Sequence, residues 1–414
     1  LSNLDWLLRN ARVADDGPLV DIALQGERIV RMAPKLEVSA REERDLGGRV
    51  VIPGFVNVHA HLDKNLTLER VGNTSGTLLE AIERWVAFKP QLTRADYVER
   101  ASRGLEMAVL NGTTAMRTHV DVDANSFMAL EAILEVRERY RDAISLEVVA
   151  LGAPGLGGRE LQAMEDALEL GADLVGGCPA IRPDGHAEIT AALELAERAG
   201  KRVDLHLDEN ENPDSRWLEV LADEVIARGL EGVVTAGHCC SLDFMDQSTA
   251  DRIMDRVAQA RIAVVALPAC NLNLQGRGQH PVPRGVTRIR ELLKRGVNVC
   301  VGSDNVQDPF HPVGHYDLLS AAQLTVMVAH MTSPSEMLET LEMVTSRPAR
   351  TMGFEDHRLA EDVKANFTVL DAKSRTSCLT VLPPRIATFR HGKLVSSSSG
   401  TVSVMGREVS RWTF

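Results

Sequence analysis

His59-Ala60-His61 sets two imidazoles two residues apart at the end of an apolar run. In an extended chain this spacing turns both rings to one side, which suits two ligands of one metal ion. Three other apolar runs end on similar chemistry: His206-Leu207-Asp208-Glu209, His238-Cys239-Cys240 and Ser303-Asp304-Asn305. Taken singly, each histidine reads as a hydrogen-bonded core residue, and Asp304 as a helix N-cap. Taken together, four histidines and an aspartate at the ends of such runs point to a mononuclear metal site, with His59, His61, His206 and Asp304 as the ligand set. Neutral imidazoles with one carboxylate suit Zn(II) or Fe(II). One divalent ion in such a set lowers the pKa of a bound water to about 7. Glu209 is not needed as a ligand; lying just beyond His206, it is the candidate to take that water's proton and pass it to a substrate. The bland alternative is one solvated charge in the acidic run 208–211. His238 is the candidate to orient the nucleophile and support developing negative charge, and Asp304 a second proton carrier, toward the leaving group. Residues 172–180 contain no lysine, which argues against a carboxylated lysine bridging a second metal there.

These residues need a frame that brings distant ends together. Eight short apolar runs recur, at Val50–His59, Thr114–Val120, Leu146–Leu151, Ala172–Cys178, Arg202–Leu207, Gly232–His238, Ile262–Pro268 and Asn298–Ser303. Amphipathic stretches separate most of them. In Ala187–Ala199, Ile189, Ala192, Leu193 and Ala196 follow helical spacing and Gly200 supplies the stop. Apolar strands alternating with helices mean a parallel sheet covered on both faces. Eight units favour an α/β fold closed as a (β/α)8 TIM barrel over residues 53–355, whose active site lies at the C-terminal strand ends. An open nucleotide-binding sheet would invite a G-x-G-x-x-G turn after its first strand, and the sequence has none there. Leu4–Val50 and Asn366–Met405 alternate with glycine turns and read as short antiparallel strands. Each is too small for its own core, so residues 1–52 and 356–414 are expected to form one small β-sandwich domain. Ser396–Ser399 reads as a hairpin turn.

The 414 residues carry 46 Lys+Arg against 58 Asp+Glu, a net charge of −12. That acidity and a 4% aromatic content argue against a nucleic-acid partner. No stretch reaches the length of uncharged apolar residues a membrane span requires, and no signal-peptide pattern opens the chain. Six cysteines in so long a chain do not make a disulfide framework. The expectation is a cytoplasmic enzyme acting on a small molecule, with a homo-oligomer left open.

The run Pro53-Gly-Phe-Val-Asn-Val-His59-Ala-His61-Leu-Asp-Lys64, with His206, Asp208-Glu209, His238 and Ser303-Asp304-Asn305, resembles the amidohydrolase superfamily, and within it the cytosine deaminase group. The likeness extends to Ser75–Trp85, Arg117–Val122, Asn271–Arg277 and Asp308–Gly314, so it covers nearly the whole chain. It implies hydrolytic deamination of an amino-substituted N-heterocycle, one metal ion, protonation of a ring nitrogen by Glu209, and substrate contact at Asn305. The resemblance also implies a departure. Ala153 stands where the cytosine enzymes carry a base-reading glutamine, Asn305 where they have a second aspartate, and Phe310 where they have tryptophan. A site stripped of a base-reading partner changes its specificity by orders of magnitude. The substrate is therefore expected to be a different ring: isoguanine, 5-methylcytosine, a pterin or an amino-triazine. Gln275 and Arg277 are expected in a loop over the pocket, and His119 and Asp121 behind the ligands. Two competitors share the pattern: removal of an alkylamine from a triazine-like ring by the same site, and a non-catalytic scaffold, which has no need of these residues.

Overall fold

The computed structural model describes residues 3–414. Eight parallel strands, in sequence order around one sheet, form a nearly closed barrel with helices between them. They are Phe55–Ala60, Thr113–Asp121, Ser145–Leu151, Leu174–Gly177, Arg202–Leu207, Val234–His238, Ala263–Ala266 and Val299–Val301. Closure comes from a single bridge between Ala60 and Asp304, where the Asp304 amide donates to the His59 carbonyl at 3.0 Å. Side chains reinforce it: Asn57 donates to Ser303 Oγ at 2.7 Å and accepts from the Ser303 amide at 3.1 Å.

The helices follow from their sequence. Trp217–Arg228 ends on Gly229, and Gly185–Ala199 on Gly200, both in the left-handed conformation that glycine takes without penalty. Asp184 caps the start of the latter through the Ala187 amide.

One run proves to be two strands. Val50–Pro53 pairs antiparallel with Phe367–Leu370 in a terminal sheet, and only Phe55–Ala60 belongs to the barrel. Gly54 sits at the junction, where a Cβ would lie 2.3 Å from Thr114 Cγ2. Alternation could not reveal this break, because both segments are apolar and buried.

The termini build two four-stranded sheets. The first comes from residues 4–45, with Leu4–Ala11 paired parallel to Ala40–Asp45 rather than antiparallel. The second joins Val50–Pro53 to Phe367–Leu370, Arg385–Arg390 and Lys393–Ser397. Leu8, Ile22 and Ile29 pack with Val51, Phe367 and Phe389 in one cluster, so residues from both ends of the chain share a core. A helix, Arg375–Val381, interrupts the expected run of strands. Ser396 and Ser397 lie within the strand Lys393–Ser397, and the next strand, Gly400–Val404, pairs with Arg407–Trp412 in a separate sheet, so Ser396–Ser399 is not a hairpin turn.

Candidate active site

The strand ends bring the predicted residues to one place. His61 Nε2 lies 3.4 Å and His59 Nε2 3.6 Å from Asp304 Oδ1, and His206 Nε2 lies 3.2 Å from His61 Nε2. All four side chains are buried. Strand geometry explains the convergence: His59 and His61 bracket the end of the first strand, His206 stands near the end of the fifth, and Asp304 forms the closing bridge. Asp304 and His238 hold positive φ, at 61° and 67°. Such a backbone costs non-glycine residues about 1–3 kcal/mol each and clusters at functional sites.

The donor set fits a cation. Both nitrogens of His59, Nδ1 of His61 and His206, and both oxygens of Asp304 are buried without a hydrogen-bond partner. Buried polar atoms are nearly always paired, so this many left without a partner in one place fits a site able to hold an ion. Burial, joined by the neighbouring histidines, pushes His59 and His206 well below 6.5, which keeps them as the neutral imidazoles a metal needs. Burial works against ionisation of Asp304, yet His61 and His238 hold its carboxyl below the usual range.

The acidic run after His206 divides its labour. Asp208 accepts from Ser215 Oγ at 2.7 Å and from the Trp217 and Leu218 amides at 3.2 and 2.9 Å, so it caps the following helix. Burial nevertheless raises it to about 6. Glu211 holds the Gly276 amide and Gln279, tying down the loop after the seventh strand. Glu209 instead faces the cavity, its Oε1 3.2 Å from His238 Nδ1. Burial, then the charge of Asp304, lifts its pKa well above the ordinary carboxylate value. Asn271 Nδ2 lies 3.0 Å from His238 Nδ1, on the same ring nitrogen that Glu209 approaches, and His238 Nε2 is buried without a partner. Burial lowers His238 to about 4, so it stays neutral.

These groups open into a cavity of about 520 Å³. Ala153, Asn305 and Phe310 line it, as does Glu209. Asn305 donates to Asp308 Oδ2 at 2.7 Å, which fixes its amide. Gln275 is placed differently from the sequence expectation: it is buried against Gly285 and is not among the lining residues. Arg277 is packed over Gly76.

Behind these histidines lies a charged layer. Arg117, fully buried, donates to Asp204 Oδ2 at 2.7 Å and to Glu147 Oε2 at 3.0 Å. His119 Nε2 stands 3.3 Å from Asp204 Oδ1, and its ring lies 4.1 Å from that of His59. Asp204 was not singled out from sequence, although its place two residues before His206 turns it to the same side of the strand. A second cluster walls the cavity: Lys64 bonds Asp63 at 2.8 Å and Asp121 at 2.6 Å, and Trp85 Nε1 donates to Asp121 at 2.8 Å. Lys64 and Trp85 lie in motifs visible in the sequence, but their pairing with Asp121 is a tertiary fact.

The sequence matches the amidohydrolase family over residues 42–158 and 143–403, and the chain belongs to that family, whose members depend on metal. A pterin deaminase of Rhizobium rhizogenes is 32% identical over 95% of this chain and 89% of its own length. The structure of 5-methylcytosine deaminase from Klebsiella pneumoniae liganded with 5-fluorocytosine superposes with a TM-score of 0.91, at 34% identity, over 96% of this chain and 99% of that one. N-isopropylammelide isopropylaminohydrolase from Burkholderia multivorans superposes with a TM-score of 0.83, at 28% identity, over 95% and 98%. Among the described residues no helix is long and apolar enough to cross a membrane.

Proposed function

We infer that this chain is a hydrolytic deaminase of an amino-substituted N-heterocycle, converting a ring C–NH2 and water into a ring carbonyl and ammonia. It is a hydrolase of carbon–nitrogen bonds other than peptide bonds, in cyclic amidines. The observation that carries the reading is the joint presence, at one barrel mouth, of three histidines and an aspartate that converge and a separate Glu209 beside His238. His59, His61, His206 and Asp304 would hold one divalent ion, Zn(II) or Fe(II). When bound, such an ion supplies an electrophile that makes water nucleophilic near neutral pH.

The remaining work falls to the chain's own side chains. Glu209 takes a proton from the attacking water and delivers it to the ring nitrogen beside the carbon under attack. Burial pushes its pKa upward, the direction in which a carboxyl holds a proton well enough to hand it on. His238, beside Glu209 and Asp304, supports the charge that develops at that carbon. Asp304 relays a proton to the departing amine. Asn305, Phe310 and Ala153 meet the ring. With Ala153 in place of a hydrogen-bonding side chain, the pocket accepts a ring other than cytosine, such as 5-methylcytosine, isoguanine, a pterin or an amino-triazine.

The test is ammonia release by Zn(II)- and Fe(II)-loaded protein across those rings, with cytosine as comparison. Ammonia from at least one ring is expected. A second reading, loss of an alkylamine, is favoured by the structural likeness to an isopropylaminohydrolase. It is distinguished by isopropylamine released from N-isopropylammelide with no ammonia from any ring.

A further inference from the structure

The cavity has two zones of opposite chemistry. Its floor is polar, built from His61, His206, Glu209, His238, Asp304 and Asn305. Its outer part is apolar on two walls. One wall is a stripe of the helix Leu78–Phe88, where Leu78, Ile82, Trp85 and Val86 fall at i, i+4, i+7 and i+8. The facing wall comes from the segments after the third and fourth strands, with Leu156 and Ile181. Val86 is 62% exposed, Leu156 55% and Ile181 50%. Three large apolar side chains left open to solvent around one mouth mark a surface that something apolar covers.

Apart from Glu160, the charged groups at the mouth do not compete for that role, because they engage other protein groups. Lys64 is held by Asp63 and Asp121, and Lys89 lies 3.8 Å from Asp121 and 3.6 Å from Asp123. Arg182 donates to the Gly152 carbonyl at 3.0 Å and stands 3.6 Å from Glu188. Volume points the same way. A single six-membered ring fills only a fraction of about 520 Å³, a size that falls in the range of pockets built for larger ligands.

We propose that the substrate is an aminated N-heterocycle bearing an apolar substituent, an alkyl or aryl group of several carbons, that leaves the polar floor and lies between the helix stripe and Leu156–Ile181. This rests on the deaminase reading above and specifies what that site accepts. The walls recognise the extension by area, whereas the floor recognises the aminated edge.

The experiment compares matched pairs on metal-loaded protein, each a parent ring and the same ring with a propyl or phenyl group: cytosine at C5 and at C6, pterin at C6, and a diamino-triazine at its free carbon. Ammonia release is read as kcat/KM, in wild type, Ile181→Ser and Leu156→Ser. Both positions are half exposed, so the serine variants leave the core intact. For at least one pair, the extended ring is expected to exceed its parent by about threefold or more per added methylene. Each serine variant should remove part of that gain, lowering kcat/KM for the extended ring more than for its parent. Parents turned over as well as or better than every extended ring would overturn the proposal while the deaminase reading stands. So would serine variants that depress parent and extended rings alike. No ammonia from any ring would overturn the deaminase reading itself, and this proposal with it.

Discussion

Glu209 and Asp304 are both buried carboxyls at the floor of the cavity, yet changing them should have opposite consequences for metal. Glu209→Gln keeps the side chain's shape and removes its capacity to exchange a proton. Metal content by elemental analysis should stay at the wild-type level, while kcat falls by about 10²–10⁴-fold. Unchanged turnover would remove Glu209 from the proton path. Asp304→Ala deletes a proposed ligand that approaches both His59 and His61, so metal and activity should disappear together; a variant that retained metal at full stoichiometry would show that Asp304 is no ligand. At this scale the sequence is unusually legible, because HxH and the polar residues at strand ends are local signals. It is silent where roles depend on neighbours. Nothing in the run Asp208-Glu209-Asn210-Glu211 says that Asp208 caps a helix and Glu211 ties down a loop, leaving Glu209 to the cavity. Gln275 shows the same limit: its position in a polar loop is visible, but its burial against Gly285 is set by chain folding.

The elements are held in register by more than their ladders. Arg117 on the second strand reaches Glu147 on the third, Asp204 on the fifth and Thr235 on the sixth. Removing one partner from such a buried network leaves an uncompensated charge, at a cost of about 3–5 kcal/mol. Arg117→Met should therefore lower the unfolding free energy in urea by about 3 kcal/mol. It should also speed metal loss to a chelator, since Asp204 steadies His119 against His59. A variant with wild-type stability and chelator kinetics would reduce the network to inert packing. The strands themselves were legible because each is an apolar run bounded by polar tips. What pattern could not supply is partnership: the break at Gly54, the parallel pairing of Leu4–Ala11 with Ala40–Asp45, and the helix Arg375–Val381 all depend on which surface each segment meets.

For the molecule as a whole, the join between barrel and terminal sheets has its own acid sensitivity. His357 is buried and its Nε2 lies 2.7 Å from the Gly54 carbonyl. Burial holds its pKa below 6.5, so the folded state favours the neutral ring. Its contribution is complete above that value and is lost as pH falls from 6.5 toward the depressed folded value, by at most about 1.4 kcal/mol per pH unit. Replacing it by glutamine keeps a donor for Gly54 without a titration. The stability of His357→Gln should thus fall less steeply than that of wild type between pH 7 and 5; equal slopes would assign the acid sensitivity to other groups. A last consequence follows from where the cylinder closes. The first and last strands meet at Ala60 and Asp304, beside His59 and His61 and through a proposed ligand itself. Any ion gripping these side chains also pins the two edges, so the backbone carries a record of occupancy. The Asp304 amide, given to the His59 carbonyl, should exchange with deuterium slowly in loaded protein and faster after chelation. One amide then counts the filled sites in a preparation before any substrate is in hand.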